Sequence, residues 1–361
     1  MLIKIFTQTS FLLILIFFCS SCSTVEDPAT VLFVGDTYFG ESYLEKLDEN
    51  VLETEGYGYS LMNFESILDD ADYVVANLET PITDLAVSPF EGVKDYIHAS
   101  DPGEALDLYK KHNILNFSLA NNHSLDYGVE GLGQTLDLLN EYEMNFFGAG
   151  VDEESAMEPL ILESNNMRIA IIAGYKFSKK YDEVYDFYAG EGKAGVNLLE
   201  VESMSKKIKS LKSQDPEIFV IIFPHWGSNY TERSENQATI AHDLIEAGAD
   251  LIVGHGAHKM QEIEQYKSKW IIYSIGNFVF NSPGRYESNK VEPFSVIVRM
   301  ELEGKDGVLF LYPIFTDNII TNYKSRFVTE EEFAEISDTY MSSIDVEEGR
   351  DEFGSYFKLA L

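Results

Sequence analysis

The chain has 361 residues, 45% hydrophobic and 13% aromatic, enough to bury one large core or two modest ones in a globular protein. Its formal net charge of −35, from 61 acidic and 26 basic residues, repels phosphate backbones and argues against nucleic acid as a partner. It also repels polyanionic substrates, unless basic groups or metal cations reverse the field locally.

At the N-terminus, Lys4 precedes the apolar run FLLILIFF (11–18), and CSSCST follows. Eight apolar residues are too few to span a bilayer but suit the central region of a secretory signal. Ser20 and Ser21 before Cys22 resemble a relaxed bacterial lipoprotein box, with Cys19 where leucine is usual. The expectation is a signal peptide over 1–21, acylation of Cys22, a short tether over 22–29, and an exported protein anchored on the non-cytoplasmic side of a bacterial envelope. An ordinary cleaved signal and an uncleaved short anchor are the alternatives. Both cysteines of the chain lie here, so the exported body has no disulfide.

Beyond Thr30 come continuous apolar runs that end in polar residues or glycine: VLFVGD (31–36), YVVANLE (73–79), ILNFSLANNH (114–123), FVIIFPHWG (219–227) and LIVGHGAH (251–258). Amphipathic stretches lie between them at 128–143, 199–213 and 235–249. Continuous apolar strands separated by helices predict strands covered on both faces, hence a layered α/β fold. IIYSIGNFVF (271–280), FSVIVRMELEGKDGVLFLYPIF (294–315) and a turn at 164–166 predict β-hairpins. From 323 to 361 the acidic chain, with Thr329 as a helix cap, predicts a peripheral helical tail.

In open α/β sheets the chemistry sits beyond the carboxyl ends of the strands. Asp36, Glu79, Asn122, His123, His225, His255 and His258 occupy such ends, while His98, His112 and His242 do not. Carboxylates mixed with imidazoles are the donor set of a transition-metal site. Singly, each has a plainer explanation: a turn or cap for Asp36, a solvated loop for Glu79, a turn for Asn121 and Asn122, core packing for His225.

In order, VGD (34–36), NLETPIT (77–83), ANNHSLDYG (120–128), HWG (225–227), GADLIVGHGAH (248–258) and YSIGNFVF (273–280) resemble the motif series of the bacterial capsule-synthesis family, the CapA or poly-γ-glutamate biosynthesis type, related to the calcineurin-like metallophosphoesterases. The resemblance runs from Val31 to Thr316. It implies a metallophosphatase-like layered β-sandwich flanked by helices over 30–322. It further implies Asp36 and His258 on one metal, Glu79 bridging, and Asn122, His225 and His255 on a second. His123 would protonate a leaving group, with Asp126 orienting its ring. Two divalent ions (Mn, Fe or Zn) about 4 Å apart would stabilise attacking and leaving oxygens and supply hydroxide near neutral pH. The chain departs from the phosphoesterase pattern at Asp36-Thr37-Tyr38, where Asp-x-His is usual, and at Asn77-Leu78-Glu79; it departs from the capsule pattern at Gly256, where a histidine often stands.

The function so implied is that of an exported lipoprotein assisting synthesis, export or attachment of an anionic surface polymer or its precursor. It would act as a metal-dependent hydrolase or transferase of phosphoesterase type, with a membrane synthesis complex as a further partner. A general exported metallophosphoesterase and a non-catalytic polymer-binding scaffold are the alternatives.

Overall fold

Ala29–Tyr38 is buried at all 10 positions, as a central strand covered on both faces must be. The computed structural model describes residues 28–40, 56–164, 167–303 and 306–361. The signal over 1–21, Cys22, most of the 22–29 tether and residues 165–166 and 304–305, where turns are expected from the sequence, lie outside the described residues. No helix among the described residues is long and apolar enough to cross a membrane.

Two sheets form the body. The first runs Glu347–Arg350, Ser355–Ala360, Asp306–Phe315, Phe294–Glu303, Ala29–Tyr38, Tyr73–Leu78, Ile114–Ser118, Asn145–Phe147, and Asn277–Phe280 also pairs with Ala29–Tyr38. The second runs Ile263–Tyr266, Lys269–Ile272, Leu251–Val253, Phe219–His225, Met167–Tyr175, Leu160–Ser164. The sheets pack face to face. Ile169, Ile171, Phe219, Ile221 and Phe223 point into the shared core with Phe33 and Phe147, and the Phe33 and Phe223 rings meet at 5.7 Å.

The alternate residues Ala170, Ile172, Val220 and Ile222 face outward onto Met204, Ile208, Ala241 and Leu244, carried by the helices Val201–Gln214 and Glu235–Ala247. Strand periodicity of two therefore divides one apolar run between two cores. On the far side of the first sheet, Tyr109 of the helix Pro102–Lys111 packs against Phe39 and Phe117, each at 5.0 Å. The result is the expected layered α/β sandwich flanked by helices. The helix Glu235–Ala247 starts with a Ser234/Gln237 capping box and stops at Gly248, whose φ of 118° suits glycine.

The C-terminal segment corrects the expectation of a helical tail. Thr329 does cap a helix, Glu330–Ile336, in a capping box with Glu332. Beyond it, Glu347–Arg350 and Ser355–Ala360 form a hairpin that joins the first sheet beside Asp306–Phe315. Phe357 and Leu359 alternate into the core, and Trp270 Nε1 donates to Ala360 O at 2.7 Å, tying the second sheet to this strand. The period-two signal is only six residues long, and the acid-rich stretch before it obscures it.

Candidate metal centre

Both sheets deliver their carboxyl ends to one place. Asp36 is in register with Asn77 on one side and Asn277 on the other, and a bridge joins His225 to His255. The backbone stitching is close: Asp36 N–H donates to Gly276 O at 3.0 Å, Glu79 N–H to Thr37 O at 3.0 Å and His255 N–H to Pro224 O at 3.0 Å. Gly276 has a φ of 73°, a left-handed conformation that favours glycine. His258 adopts φ 59° without that freedom, a strained backbone of the kind that collects at functional sites.

Three buried groups of metal-ligand type occur among the described residues, with ligand atoms in each within 4.8 Å of one another: His98 with His123 and Asp126, and two at the strand ends, Asp36 with His225 and His255, and Asp36 with Glu79 and His258. Asp36 is common to the two groups at the strand ends. Its Oδ1 lies 3.3 Å from His255 Nδ1 and its Oδ2 lies 3.2 Å from His258 Nδ1. Glu79 Oε1 stands 4.0 Å from Nε2 of each of His123, His225 and His258.

The donor set fits divalent cations. Asp36 Oδ2, Glu79 Oε1 and His255 Nε2 are buried without a hydrogen-bond partner among the described residues, and such atoms are costly unless something else satisfies them. Burial pushes the Asp36 carboxyl up, but the imidazoles of His255, His258 and His225 outweigh it and hold it well below its usual range. Burial and then the neighbouring Asp36 carboxylate push Glu79 well above the range. Burial, then the charge of His255, keeps His225 neutral by lowering its pKa well below the usual imidazole value.

Three amides hold this cluster, and sequence reasoning missed all of them. Asn77 Nδ2 donates to Asp36 Oδ1 at 2.9 Å and approaches Glu79 Oε2 and His225 Nδ1 at 3.4 Å. Its orientation is set by Asn121 Nδ2, which donates to Asn77 Oδ1 at 3.0 Å, while Asn121 Oδ1 accepts from His123 N–H at 3.0 Å. Asn277 Oδ1 accepts from His258 Nδ1 at 2.9 Å and its Nδ2 donates to Tyr286 Oη at 2.9 Å, so His258 turns Nε2 toward Glu79. Asn77 stands two residues before Glu79 on the same strand face, which is the signal that could have revealed it. Asn122 lines the cleft beside His123 and His225, and its backbone oxygen accepts from Lys94 Nζ at 2.5 Å.

His123 and Asp126 meet as expected from the sequence, Nδ1 to Oδ2 at 2.6 Å. The other Asp126 oxygen binds the Lys94 ammonium, and Oδ2 also accepts from His98 N–H at 2.7 Å. His98, passed over for lying outside any strand end, stacks on His123 at 3.7 Å and 7°, and Tyr38 stacks on His98 at 4.3 Å. Burial, then the Lys94 charge, lowers the His123 pKa well below its usual value. The ring is therefore neutral, with Nδ1–H given to Asp126 and Nε2 bare toward the cluster.

Gly256 lies against the His225 ring: at φ 97°, a Cβ there would sit 2.7 Å from Cδ2 and Nε2 of His225. Gly256→Ala should thus displace that imidazole and lower stability by about 1–3 kcal/mol. A lower denaturation midpoint together with reduced metal content would be the readout.

Fold and site together define a layered α/β protein with a buried carboxylate–imidazole cluster, suited to divalent metal, at the carboxyl ends of its strands. The chain belongs to the bacterial capsule synthesis protein family PGA_cap, whose family model matches residues 30–282. It is 31% identical over 258 residues to the PGA biosynthesis protein CapA of Bacillus subtilis, covering 71% of this chain and 64% of that protein. It is 29% identical over 257 residues to the capsule biosynthesis protein CapA of Bacillus anthracis, covering 70% and 60%. The chain thus spans about three-fifths of the length of these relatives. Among solved structures, a phosphatase of Mycoplasma pneumoniae aligns with TM-score 0.40 at 14% identity, over 83% of this chain and 91% of that one.

Proposed function

We propose that this chain is an exported, lipid-anchored capsule-family protein that assists synthesis, export or attachment of an anionic surface polymer through a metal-dependent site of phosphoesterase type. The observation that carries this is the pair of ligand groups sharing Asp36, with three buried ligand atoms left unsatisfied. Asp36, Glu79, His225, His255 and His258 would hold two divalent cations, drawn from Mn, Fe or Zn. Such ions, when bound, neutralise charge on the transferring group and lower the pKa of water toward neutrality.

The chain's own residues do the rest. Asn77 holds the Asp36 carboxylate in place and, through Asn121, ties it to the His123 backbone. Asp126 fixes the His123 tautomer, and the His98 stack fixes its ring plane. Nε2 of His123 is then placed to take a proton and return it to a leaving oxygen, which is general acid–base catalysis by a ring kept neutral at rest.

The test is the metal content of the form that begins after Cys22, measured by elemental mass spectrometry beside a His255→Ala/His258→Ala double variant. About one to two equivalents in the parent, lost in the variant, is the expected result. No metal in either protein after reconstitution with Mn, Fe and Zn overturns the metal-dependent function and favours a scaffold. A screen of phosphomonoesters, phosphodiesters and γ-glutamyl amides would then identify the bond that is cleaved.

A further inference from the structure

A second feature of the cleft is its charge. The pocket opening beside His123 and His225 is lined by Lys94, Lys176 and Lys180, with Asp95 the single acidic residue of its lining, in a chain of net charge −35. Lys94 is already committed to Asp126 and the Asn122 carbonyl. Lys176 is not: it is half-buried, and among the described residues no carboxylate pairs with it and burial alone perturbs it. Its backbone N–H donates to His225 O at 3.1 Å, so the residue starts beside a metal-ligand candidate, and its charge bears on that ring. Lys180 is exposed and rests over the Tyr185 ring at 5.7 Å; Tyr185 first, and Asp95 least, raise its pKa, and it makes no ion pair among the described residues.

Burying a lysine without a counter-ion is unfavourable, and an acid-rich surface has many carboxylates that could have paired with it. The pocket floor adds the space an anion needs: Gly256 lines it and presents no side chain over the His225 ring.

We propose that Lys176 and Lys180 form an anion-binding arm of the cleft that takes a carboxylate or phosphate group of the substrate next to the reacting bond, on the His123–His225 side. The arm deepens the proposed function and rests on it for the word substrate. It eases the conflict between the overall charge and an anionic ligand: the chain is acidic as a whole, while these two lysines add positive charge beside the cluster.

The experiment titrates inorganic phosphate and, separately, glutarate into the protein that begins after Cys22, by isothermal calorimetry at low salt. K176Q/K180Q and K176R/K180R are run in parallel, and metal content and thermal midpoint are read on the same samples. The expected result is a loss of affinity of about fivefold or more for at least one anion in K176Q/K180Q, with metal content and midpoint unchanged and the arginine variant close to the parent. The anion affected tells a carboxylate from a phosphate ligand. Smaller changes for both anions, failure of the parent to bind either, or equal losses in both double variants overturn the arm. Metal-free protein that still shows the lysine effect keeps the arm and overturns the metal-dependent function, and metal-loaded protein without the effect does the reverse.

Discussion

Asp36→Asn should abolish metal binding, whereas Glu79→Gln should leave about half of it. The reason is geometric, since Asp36 belongs to both ligand groups and Glu79 to one. In Asp36→Asn an amide replaces the carboxylate beside His255 and His258, at 3.3 and 3.2 Å, so each group loses its strongest hard donor together. Removing even an outer partner of a metal ligand costs about 10–100-fold in affinity, so loss of a shared ligand should exceed about 100-fold. In Glu79→Gln the group of Asp36, His225 and His255 keeps all three members. Elemental analysis of the two variants decides the matter. Complete loss in Glu79→Gln with retention in Asp36→Asn would make Glu79 the shared carboxylate, as the family resemblance implies.

Gly35→Ala should be among the most destabilising single changes in the chain, although Gly35 touches no ligand. A Cβ at this position would lie 1.8 Å from the Gly276 carbonyl oxygen and 2.9 Å from its carbon. Both are backbone atoms, and the adjacent Asp36 N–H is bonded to that same oxygen, so no side chain can swing aside. The strands Ala29–Tyr38 and Asn277–Phe280 would have to separate, drawing Asp36 away from Asn277 and His258. Overpacking of this kind costs about 1–3 kcal/mol where side chains can yield and more where they cannot, so a loss above about 3 kcal/mol is expected in guanidinium denaturation. Gly133→Ala is the matched control. It lies in the helix Gly128–Glu141 with nothing within 4 Å of a new Cβ, and it should stabilise by about 0.5–1 kcal/mol. Equal midpoints for Gly35→Ala and the parent would refute the close approach of the two strands.

The two glycines of this approach also explain motifs that carry no ligand. Gly35 of VGD and Gly276 of SIGNF lie 276 − 35 = 241 positions apart, and the motifs are needed together because these glycines let two backbones touch. Asn277 in the second motif then reaches His258. Neither role follows from either motif read alone.

What the sequence determined by itself was the arrangement of burial. Continuous apolar runs specify strands covered on both faces, and polar residues at their ends specify where side chains leave the core, so the layered fold and the gathering of Asp36, Glu79, His225, His255 and His258 follow from local pattern. Hydrophobic periodicity encodes burial, and burial is a local property. Register is not local. His255 and Asp36 meet across 219 positions, and only the paired strands decide that Asp36 serves both ligand groups and that Asn77, Asn121 and Asn277 hold the ligands. His98 lies further still from any periodic signal, and Lys176 directly follows the strand Met167–Tyr175, whose partners the sequence does not name. The first is placed by stacking on His123, the second by a backbone bond to His225, and both depend on chain segments whose positions are set by what they pack against.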